Sequence, residues 1–241
     1  MGKTVIVTGG SRGIGKEIVT TLAQEHQVIL NYFHSEKEAK EIQEQLAKQG
    51  KQIYIFQADV SKREQVQQLV QFAIQHFSGI DVLINNAGID QVKLFTQITD
   101  EDWNHVMETN LYSAFCMTQE VVKYMIPRQK GCIINISSIW GEIGASCETH
   151  YAVSKAGMDA LTKSLAKELG PSNIRVNSIA PGIIDTQMNA QLSQQEKKQI
   201  KEEIPLNKIG NPKDIAKCVN WLIEDDYTTG QIISINGGWS I

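Results

Sequence analysis

The chain lacks any excess of positive charge. Its 23 Lys and Arg are outnumbered by 27 Asp and Glu, for a net charge of −4. That gives no basic field for nucleic acid and no polybasic anchor for a membrane surface. It also lacks a long apolar run; nothing approaches the roughly 20 residues needed to cross a bilayer. Cysteine is sparse. Cys116, Cys132, Cys147 and Cys218 are scattered, with no CxxC pair and no metal-type spacing of neighbouring histidines. They read as reduced thiols, no metal is expected, and a cytoplasmic address follows by default. Repeats, low-complexity tracts and linkers are absent too, so a single domain over residues 1–241 is expected. The hydrophobic fraction of 41% is enough for a sizeable core.

What is present alternates. The residues 3–8 form an apolar, β-branched run that reads as a strand rather than a signal peptide, and a helical pattern follows to about Ala23. Further strands are predicted at Val28–Asn31, Ile53–Phe56, Asp81–Ile84, Cys132–Ile136, Ile174–Ile179 and Ile232–Ile235. Helices are predicted over 36–49, 62–77, 99–126, 150–169 and 212–224. The cluster Thr99-Asp100-Glu101-Asp102 opens the third of these like a cap, and Pro127 ends it. Strands alternating with helices predict an α/β fold, a Rossmann-like doubly wound parallel sheet of seven strands. The stretch 183–210 has no clean strand character and includes the very polar Gln191–Glu203. It reads either as one or two mobile helices forming a substrate lid or as a solvated helix face.

Between the first strand and the first helix stands Gly9-Gly10-Ser11-Arg12-Gly13-Ile14-Gly15. Strand, glycine-rich turn and helix is an arrangement that holds a dinucleotide pyrophosphate. The glycines let the backbone approach the phosphates, and the helix N-terminus favours the anion. The spacing is G-x-x-x-G-x-G rather than G-x-G-x-x-G. At the end of the second strand, many NAD-binding folds carry an acid for the ribose 2′-hydroxyl. Here Asn31, Tyr32, Phe33, His34 and Ser35 occupy that region. No acid would repel a 2′-phosphate, and Arg12 can pair with one. This favours NADP(H), with NAD(H) the alternative if Arg12 is only a solvated loop residue. Two other strand ends carry turn-forming residues suited to a ligand crevice, Asn85-Asn86-Ala87-Gly88 and Pro181-Gly182.

The chemistry-bearing stretch runs from Ser138 to Lys155. Tyr151 and Lys155 are four residues apart, on one helical face. An ammonium one turn away favours the phenolate and would bring the phenol into general acid/base range. Ser138, at the end of the preceding strand, can offer a hydroxyl to the same substrate oxygen. Such a trio suits proton transfer to or from a carbonyl or alcohol oxygen, although a Tyr-x-x-x-Lys pair alone also occurs on solvated helices.

Taken together, Thr8-Gly9-x-x-x-Gly13-Ile14-Gly15, Asp59-Val60, Asn85-Asn86-Ala87-Gly88, Asn110, Ser138, Tyr151-x-x-x-Lys155 and Pro181-Gly182 resemble the short-chain dehydrogenase/reductase family, in its motif order and over nearly the whole chain. The resemblance implies an NAD(P)-dependent oxidoreductase. Tyr151 would exchange the proton, Ser138 would hydrogen-bond the substrate oxygen, and Lys155 would lower the Tyr pKa and bind the nicotinamide ribose. Asn110 would support a water-mediated proton relay. Gly9, Ser11, Arg12, Gly13, Ile14, Gly15 and Asn31 would serve the pyrophosphate and adenosine side. Asp59 and Val60 would border the adenine, and Asn86, Ala87 and Gly88 the ribose. Pro181, Gly182, Ile184 and Thr186 would meet the carboxamide end.

Within that family the chain is most similar to bacterial 3-oxoacyl-[acyl-carrier-protein] reductases, whose tail the segment Tyr227–Trp239 resembles. This implies a homotetramer and an acyl carrier protein partner. The stretch Gly144–Tyr151 departs from their usual G-x-x-G-Q-x-N-Y, and Ser172 stands where they often have Arg. Trp140, Glu142 and Glu148 read either as packing and solvated residues or as an acidic, aromatic rim suited to an amine. The latter pattern resembles the reductases of the 5-aminopentanone modification on elongation factor P. A non-catalytic NADP(H) sensor is disfavoured by the presence of both Tyr151 and Lys155. His150 reads as a rim or packing residue, because no Gly-x-Ser-x-Gly elbow precedes it.

Overall fold

The computed structural model describes residues 2–190 and 192–240; residue 191, in the expected lid stretch, lies outside them. Its centre is one parallel sheet of seven strands: β1 (Thr4–Val7), β2 (Gln27–Tyr32), β3 (Ile53–Gln57), β4 (Val82–Asn85), β5 (Gly131–Ile136), β6 (Ile174–Pro181) and β7 (Ile232–Ile235). The spatial order is β3-β2-β1-β4-β5-β6-β7. The central strands are almost wholly apolar because helices cover both faces. Alternate residues of one strand therefore go to different cores. Val5 and Val7 pack with Ile18, Val19, Ile42, Ile215 and Leu222 on one side. Ile6 packs with Val66, Leu69, Met117 and Val121 on the other.

The helices are α1 (Gly13–Leu22), α2 (Glu36–Lys48), α3 (Arg63–His76), α4 (Asp100–Met107), α5 (Ser113–Met125), α6 (Ile139–Ile143), α7 (Thr149–Leu169), α8 (Gln194–Glu203) and α9 (Pro212–Glu224), of which α1, α2, α3, α5, α7 and α9 send side chains into those two cores. Several begin where local chemistry dictates. Thr99 and Asp102 form a reciprocal capping box on α4, and Asn211 and Asp214 form one on α9, with Pro212 in its first turn. All four cysteines are free, and Cys116, Cys132 and Cys218 are buried.

The expected long helix over 99–126 is broken. α4 and α5 are separated by a π-helical turn at Glu108–Tyr112, which contains Asn110. A π-turn inserts a residue into the helical ladder and commonly marks a functional position. The five-residue α6 just after Ser138 was also not expected. The stretch 183–210 contains a 3₁₀ turn at Gln187–Asn189 and α8, none of whose residues is buried.

The sheet order reverses between β1 and β4. The polypeptide leaves these two strands in opposite directions, which opens a crevice at their carboxyl ends. The Gly9–Gly15 turn, the Asn86–Gly88 turn, the Ser138 corner and the Pro181–Gly182 turn all end there.

Candidate active site

Those ends enclose a cavity of about 960 Å³. Ser138, Tyr151 and Lys155 line it together with Gly9, Ser11, Arg12, Gly13, Ile14, Gly15, Asn31, Asp59, Val60, Asn86, Ala87, Gly88, Pro181, Gly182, Ile184 and Thr186. Of the expected site residues, Asn110 alone is not on the wall.

The glycine turn is shaped for close approach. Gly9 and Gly13 have φ of +62° and +51°, the left-handed region that disfavours side chains. A Cβ on Gly15 would stand 2.3 Å from the Gly9 carbonyl oxygen. Asn86 Nδ2 clamps the turn, donating to the carbonyls of Thr8 at 2.9 Å and Gly9 at 3.0 Å. The Thr8 hydroxyl accepts from the backbone N–H groups of Asn86 and Ala87. This wall, open to close approach at its glycines and set at the N-terminus of α1, fits a dinucleotide pyrophosphate.

Asn31 is buried and its polar atoms are committed. Oδ1 accepts from the Gly9 N–H, and Nδ2 reaches the carbonyls of Tyr32, Phe56 and Ala58. It staples the glycine turn to β2 and β3 and so shapes the adenosine end. Asp59 accepts from the backbone and hydroxyl of Ser61. Phe33, His34 and Ser35 continue the wall beyond β2, and Arg12 is exposed beside them. Glu36, the first acid after β2, pairs with Lys40 at 2.7 Å.

At the other end, the Ser138 hydroxyl lies beside the Tyr151 phenol. It also accepts from the Trp140 N–H and so starts α6. Lys155 Nζ donates to the Ile136 carbonyl at 2.8 Å and sits 5.6 Å from the centre of the Tyr151 ring. Both side chains are buried. The expected fall in the Tyr151 pKa is not what this site shows. Burial pushes the phenol well above its ordinary value, the Ser138 hydroxyl opposes that rise, and Asp90 and Glu148 add to it. Burial likewise lowers Lys155 to about 8, against the opposing pull of Asp159 and Asp90. Desolvation disfavours both charged forms here.

Asn110 lies behind the wall. Its Oδ1 accepts from the Ile89 N–H at 2.8 Å, and its Nδ2 donates to the Ile89 carbonyl and the Ser154 hydroxyl. The side chain pins the segment after β4 to α7. The expected rim separates as well. Trp140 packs edge-on against Trp239, and Glu142 accepts from the Ser234 hydroxyl. Both therefore face the C-terminal segment, whereas the charge of Glu148 is near enough to Tyr151 to raise its pKa. His150 is a buried packing residue that bonds Gln91.

The structure adds residues that the sequence reading passed over. Asp90 lines the cavity beside Glu148. Asp159, one turn beyond Lys155, accepts from the Ser178 hydroxyl at 2.9 Å. The i, i+4 spacing from Lys155 could have pointed to Asp159; nothing local pointed to Asp90.

A family model described as short chain dehydrogenase matches residues 3–197. The chain belongs to the short-chain dehydrogenase family. Among curated relatives, the 3-oxoacyl-[acyl-carrier-protein] reductase FabG of Staphylococcus epidermidis is 39% identical over 241 residues, covering 99% of both chains. FabG of Aquifex aeolicus is 39% identical over 240 residues, covering 98% of this chain and 97% of its own. The uncharacterized oxidoreductase YmfI of Bacillus subtilis is 38% identical over 243 residues, covering 99% of each. This short-chain dehydrogenase is an oxidoreductase acting on carbonyl or hydroxyl groups, and it uses a nicotinamide cofactor. Among its described residues no helix is long and apolar enough to cross a membrane, and no cluster of His, Cys, Asp or Glu has the form of a metal site.

Proposed function

We propose that this protein reduces a 3-oxoacyl thioester carried on acyl carrier protein, using NADPH, in the cytoplasm and as a homotetramer. The observation that carries the reading is one cavity joining a glycine turn to Ser138, Tyr151 and Lys155, in a chain alike to FabG proteins from end to end. The wall after β2 has no acid, and the exposed Arg12 is available for a 2′-phosphate, which supports NADPH. Exposed Tyr112 and Phe115, side by side where the π-turn meets α5, offer an apolar face for subunit contact.

When bound, the nicotinamide supplies the hydride. The residues of this chain do the rest. Gly9 to Gly15 hold the pyrophosphate, and Lys155 holds the ribose. The Ser138 hydroxyl and the Tyr151 phenol grip the substrate oxygen, and Tyr151 gives it a proton. A high phenol pKa keeps that proton on Tyr151 until negative charge develops on the oxygen next to it.

A second reading is reduction of the 5-aminopentanone modification on elongation factor P. The carboxyls of Asp90 and Glu148 beside Tyr151 favour it, because they would meet a cationic amine. The test follows NADPH oxidation with an acetoacetyl thioester and with an amine-bearing aliphatic ketone at matched concentrations, with Tyr151→Phe as the blank. Preferred turnover of the thioester supports the first reading. Preference for the aminoketone, lost in Glu148→Gln, replaces it with the second. Near-parental activity of a folded Tyr151→Phe would sink the assigned proton transfer in both.

A further inference from the structure

Beyond β4 the chain runs along α7 and the turn before it. Gly88 leaves beside the catalytic lysine, where a Cβ would stand 3.5 Å from Lys155 Nζ. Ile89 is tied through the Asn110 side chain to the Ser154 hydroxyl. Gln91 Oε1 bonds His150 Nε2 at 2.9 Å. The Lys93 N–H donates to the Cys147 carbonyl at 2.7 Å. The partners step down from Lys155 through Ser154 and His150 to Cys147, so the segment passes Tyr151 on its way.

Its side chains divide between two sides. Ile89, Asp90 and Val92 line the cavity, whereas Gln91 and Lys93 do not. In extended chain, successive side chains point to opposite sides. Gln91 Nε2 donates to Asp102 Oδ1 at 2.8 Å, and Lys93 pairs with the other oxygen of Asp102. Asp102 belongs to the capping box that starts α4. The cavity wall is thereby moored to two helices, α4 and α7.

The direction of each bond follows from the charges. The bond from Lys93 holds the Asp102 carboxyl well below the usual carboxylate range, so both its oxygens only accept. The Gln91 amide must then turn its nitrogen to Asp102 and its oxygen to His150. That oxygen needs a donor, so His150 carries its hydrogen on Nε2. Nδ1 is left as an acceptor, buried without a partner. The ring is wholly buried, and an unpaired buried acceptor has a cost that an apolar side chain would not have. Packing alone does not account for a histidine here; the bond to Gln91 does.

We propose that Gln91 is a positioning residue that sets the substrate side of the cavity: through His150 and Asp102 it holds the wall of Asp90 and Val92 in place beside Tyr151. This deepens the carbonyl-reductase reading and rests on it. Gln91 itself touches neither substrate nor cofactor. The glycine turn is held separately, by Asn31 and Asn86, so loss of Gln91 disturbs the substrate and spares NADPH. The wall meets parts of the substrate away from the reacting carbonyl. Such contacts are alike in the ground and transition states, and losing them raises KM rather than lowering kcat.

The test uses the full-length protein. The chain has five histidines, so ring-15N labelling gives a simple spectrum, and His150→Gln assigns the His150 signals by their loss. At pH 7 the parent shows His150 as a neutral ring with its hydrogen on Nε2. This readout needs neither turnover nor a folded Gln91 variant. In Gln91→Ala, with circular dichroism matching the parent, KM for acetoacetyl-CoA rises roughly tenfold, short of the hundredfold that a displacement of about 1 Å can cost. The amine-bearing ketone replaces the thioester if that is the substrate turned over. The kcat stays within about threefold, and the NADPH Kd from fluorescence titration does not change. His150→Leu repeats the effect, and His150→Gln, which keeps a donor for the Gln91 oxygen, recovers most of it. A His150 ring with its hydrogen on Nδ1, a parental KM in Gln91→Ala, or equal weakening of NADPH and substrate overturns the proposal. If that happens while Tyr151→Phe is inactive, only the role of Gln91 fails. If a folded Tyr151→Phe is fully active, the reading of the site fails and takes the substrate role of Gln91 with it.

Discussion

Replacing Glu148 with Gln should make the folded protein more stable, and only above acidic pH. The folded state raises this carboxyl from 4.5 to about 7, through burial first and the Asp90 charge second. An acid whose pKa is raised on folding costs stability when it must ionise. The cost is absent below the unfolded value of 4.5, grows as pH rises, and is complete above about 7. The upper bound is about 3 kcal/mol, from 1.36 kcal/mol for each tenfold step. The side chain is only about half-buried, so solvent screening cuts this to roughly 1–2 kcal/mol. Urea unfolding at fixed protein concentration, at pH 8 and pH 5, measures it. The variant should lead by that amount at pH 8 and by little at pH 5. A gain of equal size at both values, or a loss at pH 8, would refute the reasoning, because an uncharged effect of the substitution has no such pH dependence.

Lys155→Met should abolish turnover yet raise Tm at pH 7 by about 2–4 °C, since about 1 kcal/mol moves Tm by that much in a chain of this size. Burial lowers the Lys155 pKa to about 8, so the cost of its charge is present below 8 and fades as pH climbs toward 10.5; calorimetry at pH 7 and pH 10 should show the variant's advantage shrinking. Arg12→Ala should cut the NADPH-to-NADH ratio of kcat/KM by roughly tenfold or more, the scale of a lost charge-assisted hydrogen bond of about 1.5–3 kcal/mol, and an unchanged ratio would remove Arg12 from phosphate recognition. Gly15→Ala would press a methyl against the Gly9 carbonyl at 2.3 Å, and cofactor binding by fluorescence titration should weaken far more than Ser11→Ala weakens it.

Much of this was legible locally. Apolar runs of four to eight residues, alternating with helical periods, announce a parallel α/β sheet because each strand must be dry on both faces. The glycine turn between β1 and α1 is readable because few other residues adopt its backbone. Tyr151 and Lys155 are readable as a pair because helical geometry puts residues four apart on one face. The Thr99 and Asn211 caps are equally short-range.

Tertiary structure decided what depends on distance and water. The Glu108–Tyr112 π-turn carries no mark in its own residues; Asn110 within it is fastened to Ile89, on another segment. Trp140 and Glu142 look like neighbours of the catalytic serine, but Trp239 and Ser234 draw them away. Asp90 and Glu148 are far apart in the chain and meet only because the sheet brings the end of β4 beside the start of α7. Even the sign of the Tyr151 shift was beyond the sequence. Spacing reports which charges are near, whereas a buried group's pKa also depends on how much water the rest of the fold removes from it.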